Sequence, residues 1–259
     1  MVPKVISFSG KGGVGKSTLL VLMLKYILET KQFENILVID ADPDANIADM
    51  IGKEIKFAET VGGKMTKLQE RIQKREIPLD VSKSQIIESE VFEALLEMED
   101  FDLIEMGRGE GVGCYCSVNN SLKRIIDVLA KNYDIVLIDA PAGLEYFARK
   151  TGQDVTDLII VTDPSKMGFH TMERIVEVSN EVQLKFKQIL IIGNRFSNDL
   201  ISILSKRVLN VNDDRVKLLG ILPYDEEISK FNLTGENLLE LEKENKMYIE
   251  AKKLYAQII

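Results

Sequence analysis

Short apolar runs recur along the chain, and between most of them the apolar positions spread out to helical spacing. Residues 2–8, 35–39, 101–106, 133–138, 158–162, 188–192 and 217–222 are runs of strand length rich in valine, isoleucine and leucine. Such runs, bounded by polar or glycine-rich turns, predict buried parallel strands. Residues 17–30 predict a helix, as do 117–131, where Leu122, Ile125, Ile126 and Leu129 share one face. A further helix starts at Met167 and carries Ile175, Val176, Val178, Ser179 and Val182. Alternation of this kind predicts an α/β fold with a mainly parallel central sheet flanked by helices. The length of 259 residues suits one large domain, or at most two small ones, and the alternation favours one. Residues 53–100 interrupt the alternation with a charged, mixed excursion, helical around 65–74 and again over 88–98, expected to pack on the sheet edge. The tail, 235–259, predicts one amphipathic helix docked on the core. No internal repeat or low-complexity tract is present.

The first strand runs into Ser9-Gly-Lys-Gly-Gly-Val-Gly-Lys-Ser-Thr18, which fits G-x-x-x-x-G-K-[ST] from Gly10 to Ser17. Glycines let the backbone turn where side chains would clash. The freed N–H groups of Gly12, Gly13, Val14, Gly15, Lys16, Ser17 and Thr18 then face phosphate oxygens, and the helix N-terminus adds its dipole. Lys16 brings a cation to the β- and γ-phosphates, and the Ser17 hydroxyl serves Mg²⁺. ATP and ADP with Mg²⁺ are therefore the expected ligands.

Two further strands close on carboxylates. Strand 35–39 ends in Asp40-Ala-Asp42-Pro-Asp44-Ala-Asn46, and strand 133–138 in Asp139-Ala-Pro-Ala-Gly143. Carboxylates just past the C-terminal ends of strands lie where open α/β sheets bind ligands. Asp139 fits a carboxylate that binds Mg²⁺ through water. Asp40, Asp44 and Asn46 are open between Mg²⁺-side roles and the capping of a strand-to-helix turn.

Composition narrows the partners. The net charge of −8 does not favour nucleic acid as a bulk electrostatic partner. No apolar run approaches the roughly 20 residues of a membrane span, and the polar face of the tail is not markedly basic. No signal peptide precedes the phosphate loop, so a cytoplasmic, reducing setting is expected. There the two cysteines, Cys114 and Cys116, are expected to bind metal or react rather than to pair. The glycines of 107–113 do not have G-x-G-x-x-G spacing, which excludes a dinucleotide fingerprint. They predict an exposed loop carrying both thiols. A thiolate site wants four sulfurs and one chain offers two, so a twofold homodimer is expected to complete it around Zn²⁺ or Ni²⁺. His170, the sole histidine, reads as a surface or capping residue.

The phosphate loop with its early Lys11, the D-x-D-P and D-x-P-A-G segments, and the run from Gly107 to Cys116 together resemble the CooC-type nickel-insertion ATPases of carbon monoxide dehydrogenase. These are similar to the wider MinD, ParA and nitrogenase iron protein group with its deviant Walker A motif. In the cysteine run, Gly109 and Val112 stand where members often carry proline. The resemblance implies that Lys11 crosses the dimer to the partner's nucleotide and that Asp42 orients the hydrolytic water. It implies that Asn194 hydrogen-bonds the adenine, with Pro223 and Asp225 alongside the base, while Arg195 is open between stacking on the ring and being solvated. It also implies an apo carbon monoxide dehydrogenase client, with acetyl-CoA synthase as the alternative; the charge and the tail, for their part, predict no nucleic-acid or membrane partner. Three rival readings fit parts of the same sequence. They are a membrane- or DNA-positioning ATPase, an iron–sulfur carrier and a nucleotide-gated metal store.

Overall fold

The computed structural model describes residues 3–42, 46–74, 76, 83–107, 129–141, 155–181, 183–184 and 186–259. Among the described residues eight strands form one sheet: β1 Lys4–Gly10, β2 Ile36–Asp40, β3 Leu96–Glu97, β4 Asp102–Glu105, β5 Ile135–Asp139, β6 Asp157–Thr162, β7 Gln188–Asn194 and β8 Val216–Leu222. Their order is β3-β4-β2-β5-β1-β6-β7-β8. Every pairing is parallel except that of β3 with β4 at one edge. The sheet is therefore the mainly parallel one that the apolar runs predict.

Alternate residues of each strand enter opposite cores. Ile36 and Val38 of β2 and Ile135 and Leu137 of β5 pack with helix α1, Lys16–Thr30. Leu37, Ile39, Val136 and Ile138 pack on the other face. Both faces are covered, so the strands are apolar on both sides, which is why they read as continuous runs. The other helices among the described residues are α2 Ile47–Met50, α3 Val61–Gln73, α4 Lys83–Phe92, α5 Lys166–Glu181, α6 Ile201–Leu209, α7 Glu226–Thr234 and α8 Lys246–Tyr255. None among the described residues is long and apolar enough to cross a membrane.

Three expectations are corrected. The helix read over 88–98 ends at Phe92, and Leu96–Glu97 is instead the antiparallel edge strand. Helices α2, α6 and α7 add to those read from periodicity. The tail is not one helix, because Gly235 takes a left-handed conformation (φ 71°) and caps α7, its N–H donating to Phe231 O at 2.9 Å. A 3-10 turn at Leu238–Glu240 follows, and Asn245 then starts α8 by accepting from Tyr248 N at 2.9 Å. The docking itself is as expected: α8 buries Met247, Tyr248, Ala251, Leu254 and Tyr255, and the Tyr255 hydroxyl donates to Leu19 O of α1 at 2.8 Å.

The excursion 53–100 reaches the end of β4. Thr60 caps α3 by accepting from Gly63 N at 3.2 Å, and Gly62 N donates to Met106 O at 2.8 Å. Met106 N in turn donates to Asp40 O at 2.9 Å. Gly107 packs so tightly on Thr60 that a Cβ would lie 2.4 Å from its Oγ1. Residues 108–128, most of the predicted helix 117–131 included, lie outside the described residues, as do Asp44, Gly143 and Val182.

Candidate nucleotide site

The phosphate loop joins β1 to α1 and owes its path to close approaches on both sides. A Cβ on Gly10 would sit 2.3 Å from the Val161 carbonyl oxygen, and one on Gly15 would sit 2.4 Å from Nδ2 of Asn194. Gly15 is left-handed (φ 95°) and occupies the N-cap of α1, where no side chain takes up the free N–H groups. A 15-residue helix so left uncapped presents N–H donors and a positive dipole end to an anion. Lys16 is buried at that end. Thr18, also buried, accepts from Asn232 Nδ2 at 3.3 Å.

Parallel register sets three carboxylates side by side. Asp40 pairs with Asp139 across β2 and β5, and with Glu105 across β2 and β4. All three are buried, on the face that carries α1. Ser17 Oγ donates to Oδ2 of Asp139, while Oδ1 of Asp139 is buried with no hydrogen-bond partner. Burial pushes the Asp139 carboxyl up to about 6, against the Ser17 bond and the Lys16 charge, with Asp42 adding to the rise. An orphaned buried carboxylate oxygen beside a serine hydroxyl and a lysine is a donor set that fits Mg²⁺ and a phosphate chain.

Asp40 resolves toward capping. Its Oδ1 accepts from Asp42 N at 3.1 Å and its Oδ2 from Ile47 N at 2.9 Å, which fastens the start of α2 to the end of β2. Burial and the neighbouring Asp139 hold its carboxyl well above the usual range. Asn46, at the N-cap position of α2, makes no side-chain cap and is exposed. Asp42 lies half-buried, close enough to influence Asp139.

Glu105 was not singled out by sequence reasoning. It is 3% exposed and its Oε1 has no hydrogen-bond partner. Burial raises its carboxyl to about 7, a bond from the Ala48 backbone opposes the rise, and Asp49 adds to it. Asp40 and Glu105 thus both grip the first residues of α2. The hint in the sequence is that Glu105 falls between the apolar Ile104 and Met106 near the end of a strand-length run.

On the other side of the loop, the ends of β7 and β8 brace the glycines. Asn194 donates from Nδ2 to Val14 O at 2.8 Å, and its Oδ1 accepts from Arg195 N at 3.1 Å. Arg195, in a left-handed conformation (φ 62°), reaches Gly13 O at 3.2 Å through Nη1. Pro223 follows Leu222, the register partner of Asn194, and is exposed. Asp225 caps α7, accepting from Ile228 N at 2.9 Å, and both its oxygens lie 3.2 Å from Asn245 Nδ2. The structure therefore brings Lys16, Ser17, Asp139, Asn194 and Arg195 around one loop, while the Asp225 carboxylate is engaged with helix ends. Lys11 is half-exposed on the rim, and His170 is exposed on α5. Among the described residues, no group of three or more histidine, cysteine, aspartate or glutamate residues could hold a metal ion. Cys114 and Cys116 lie outside them.

A family model described as an AAA domain matches residues 3–192. An uncharacterized ATP-binding protein of Methanocaldococcus jannaschii is 40% identical over 255 residues, 98% of each chain. The carbon monoxide dehydrogenase accessory protein CooC of Rhodospirillum rubrum is 30% identical over 248 residues, 91% of this chain and 89% of its own. Among solved structures, a ParA family ATPase from Chlorobium tepidum superposes with a TM-score of 0.70 at 16% identity, covering 98% of both chains. The cell division ATPase MinD of Pyrococcus furiosus gives 0.66 at 19% identity, covering 100% of this chain and 98% of its own.

Proposed function

Because this chain belongs to the AAA-domain P-loop ATPases of the MinD/ParA family, we propose that ATP drives two copies together and that the dimer carries nickel for a client enzyme. In this reading Cys114 and Cys116 of each copy share one Ni²⁺ or Zn²⁺, and apo carbon monoxide dehydrogenase receives the nickel. Acetyl-CoA synthase is the alternative client. The observation that carries the reading is the identity with the accessory protein CooC along 91% of this chain. The C-x-C pair supports it, because it supplies half of a four-thiolate site and so calls for a second copy.

The chemistry is hydrolysis of ATP to ADP and phosphate. The backbone of 12–18 and the Lys16 ammonium hold the phosphates, with Ser17 and Asp139 as the residues that would hold Mg²⁺. Bound there, Mg²⁺ would neutralise charge on the β- and γ-phosphates. Lys11 of each copy is proposed to add its charge to the other copy's phosphates, and Asp42 to orient the attacking water. Positive charge placed where negative charge develops is usually the largest single contribution of such a site. Asn194 and Arg195, already fixed against the loop, are proposed to meet the base beside Pro223, with Asp225 holding that corner in place. A cytoplasmic setting keeps the thiols reduced.

The test uses both cysteines and the client. Changing Cys114 and Cys116 together to serine is expected to abolish ATP-dependent nickel activation of apo carbon monoxide dehydrogenase while ADP affinity stays within about twofold of the parent. A double variant that activates the apo-enzyme as well as the parent would overturn the proposal. Hydrolysis stimulated by liposomes or DNA would instead point to a positioning ATPase.

A further inference from the structure

Lys11 already has an ion pair within its own subunit. Its Nζ lies 3.7 Å from Oδ2 of Asp163, with 38% of the lysine side chain and 21% of the aspartate side chain exposed. Close packing brings the two together. Gly10 and Val161 are register partners of β1 and β6, and the contact at Gly10 is too close for any side chain. The step from Gly10 to Lys11 therefore runs beside the end of β6, which Asp163 follows directly. The carboxylate is fixed from its other side. Its Oδ1 accepts from Ser165 Oγ at 2.5 Å, and Ser165 Oγ accepts from Gly168 N at 2.9 Å in the first turn of α5. Gly168 comes so near that a Cβ would lie 2.1 Å from the same Oδ1. One oxygen of Asp163 is thus held by the start of α5, and the other faces Lys11.

We propose that Asp163 is a positioning residue for Lys11: it holds the lysine within the free subunit and releases it when Lys11 crosses to the partner's nucleotide. This rests on the homodimer reading above. A lysine that pairs within one subunit is not available to the other, so the pair biases the equilibrium toward separate subunits. An exposed pair of this kind shifts an equilibrium by about 1.5- to fivefold, and each dimer must break two. Asp163 would in this way set how much ATP is needed before two copies associate.

Asp163→Asn keeps the oxygen that accepts from Ser165 and removes the charge that faces Lys11. With a non-hydrolysable ATP analogue, its dimer dissociation constant, read by sedimentation, is expected to fall about two- to 25-fold. ADP affinity of the single subunit should not change. A folded Asp163→Asn protein whose dimer is equal to or weaker than the parent's overturns the proposal, since a merely structural role gives that result. The nucleotide-free monomer provides a second measurement. Urea titrations of Asp163→Asn, Lys11→Ala and the double variant are expected to show about two- to fivefold coupling in the unfolding constant, lost at about 1 M salt. Absence of coupling at low salt overturns the proposal even if the dimer forms normally. A parent chain that stays monomeric with the analogue sinks the homodimer reading instead, and the coupling then decides whether the pair exists.

Discussion

At the scale of single residues, the site sets carboxylates against their surroundings. Asp139 is buried beside Ser17 with one oxygen unpartnered, an arrangement that costs stability until a cation arrives. Glu105 carries a similar cost with no proposed ligand to offset it. Its folded carboxyl titrates near 7 against an ordinary 4.5. The stabilising state is thus the protonated one, fully present below about pH 4.5 and lost as pH rises through about 7. Glu105→Gln keeps an oxygen for the Ala48 N–H and removes the ionisation. It is expected to stabilise the nucleotide-free protein at pH 8 by up to roughly 3 kcal/mol, and by little at pH 5. Urea titrations at the two pH values check this, and equal effects at both would show that charge is not the cause. Lys16, Ser17 and Asp139 were legible in the sequence because their chemistry is local to a loop and a strand end. Glu105 and Asp163 were not, because their partners come from elements brought close only by sheet order and helix starts. The Asp163-Pro-Ser165 segment before a helix does carry an N-cap signature, but nothing in it points to Lys11.

At the scale of elements, the apolar runs were the most legible feature, because a sheet covered on both faces leaves its strands apolar throughout. Glycine misled the reading of the tail. Amphipathic spacing continues across 235–259, yet Gly235 ends one helix and Asn245 begins another. The break lets α8 turn back over α1, where Lys25 donates to Leu239 O at 2.6 Å and Tyr255 reaches Leu19. Asp225 stands at the junction, capping α7 and tied to Asn245. Asp225→Ala is expected to lower stability by about 1–2 kcal/mol, the usual cost of a lost N-cap, while ADP affinity changes by less than about twofold. Thermal melting and a nucleotide titration check both parts. A tenfold loss of ADP affinity without loss of stability would assign Asp225 to the base instead. The edge strand β3 escaped notice because it is only two residues long, too short for any period to show.

At the scale of the whole molecule, the sheet order places β1, β5 and β2 side by side in its middle, so the phosphate loop, Asp139 and Asp40 meet at the C-terminal ends of these strands. From there a continuous set of contacts runs outward. Asp40 fastens α2, the Asp40 carbonyl accepts from Met106 N, and Met106 O accepts from Gly62 N of α3. The glycine that opens the cysteine run is seated on Thr60 at the same place. The excursion 53–100, which composition left without a role, therefore helps to anchor the point from which that run departs. Under the proposed function, a change at the phosphates that moved Asp40 would have a short covalent and hydrogen-bonded route to Gly107. The most direct test of the proposed link between ATP and metal is metal content and mass in solution, measured together on the parent chain with Ni²⁺ present, with and without a non-hydrolysable ATP analogue. The account predicts a monomer without nucleotide and a dimer holding about one Ni²⁺ per two chains with it. A chain whose mass and metal content are the same in both conditions would contradict it.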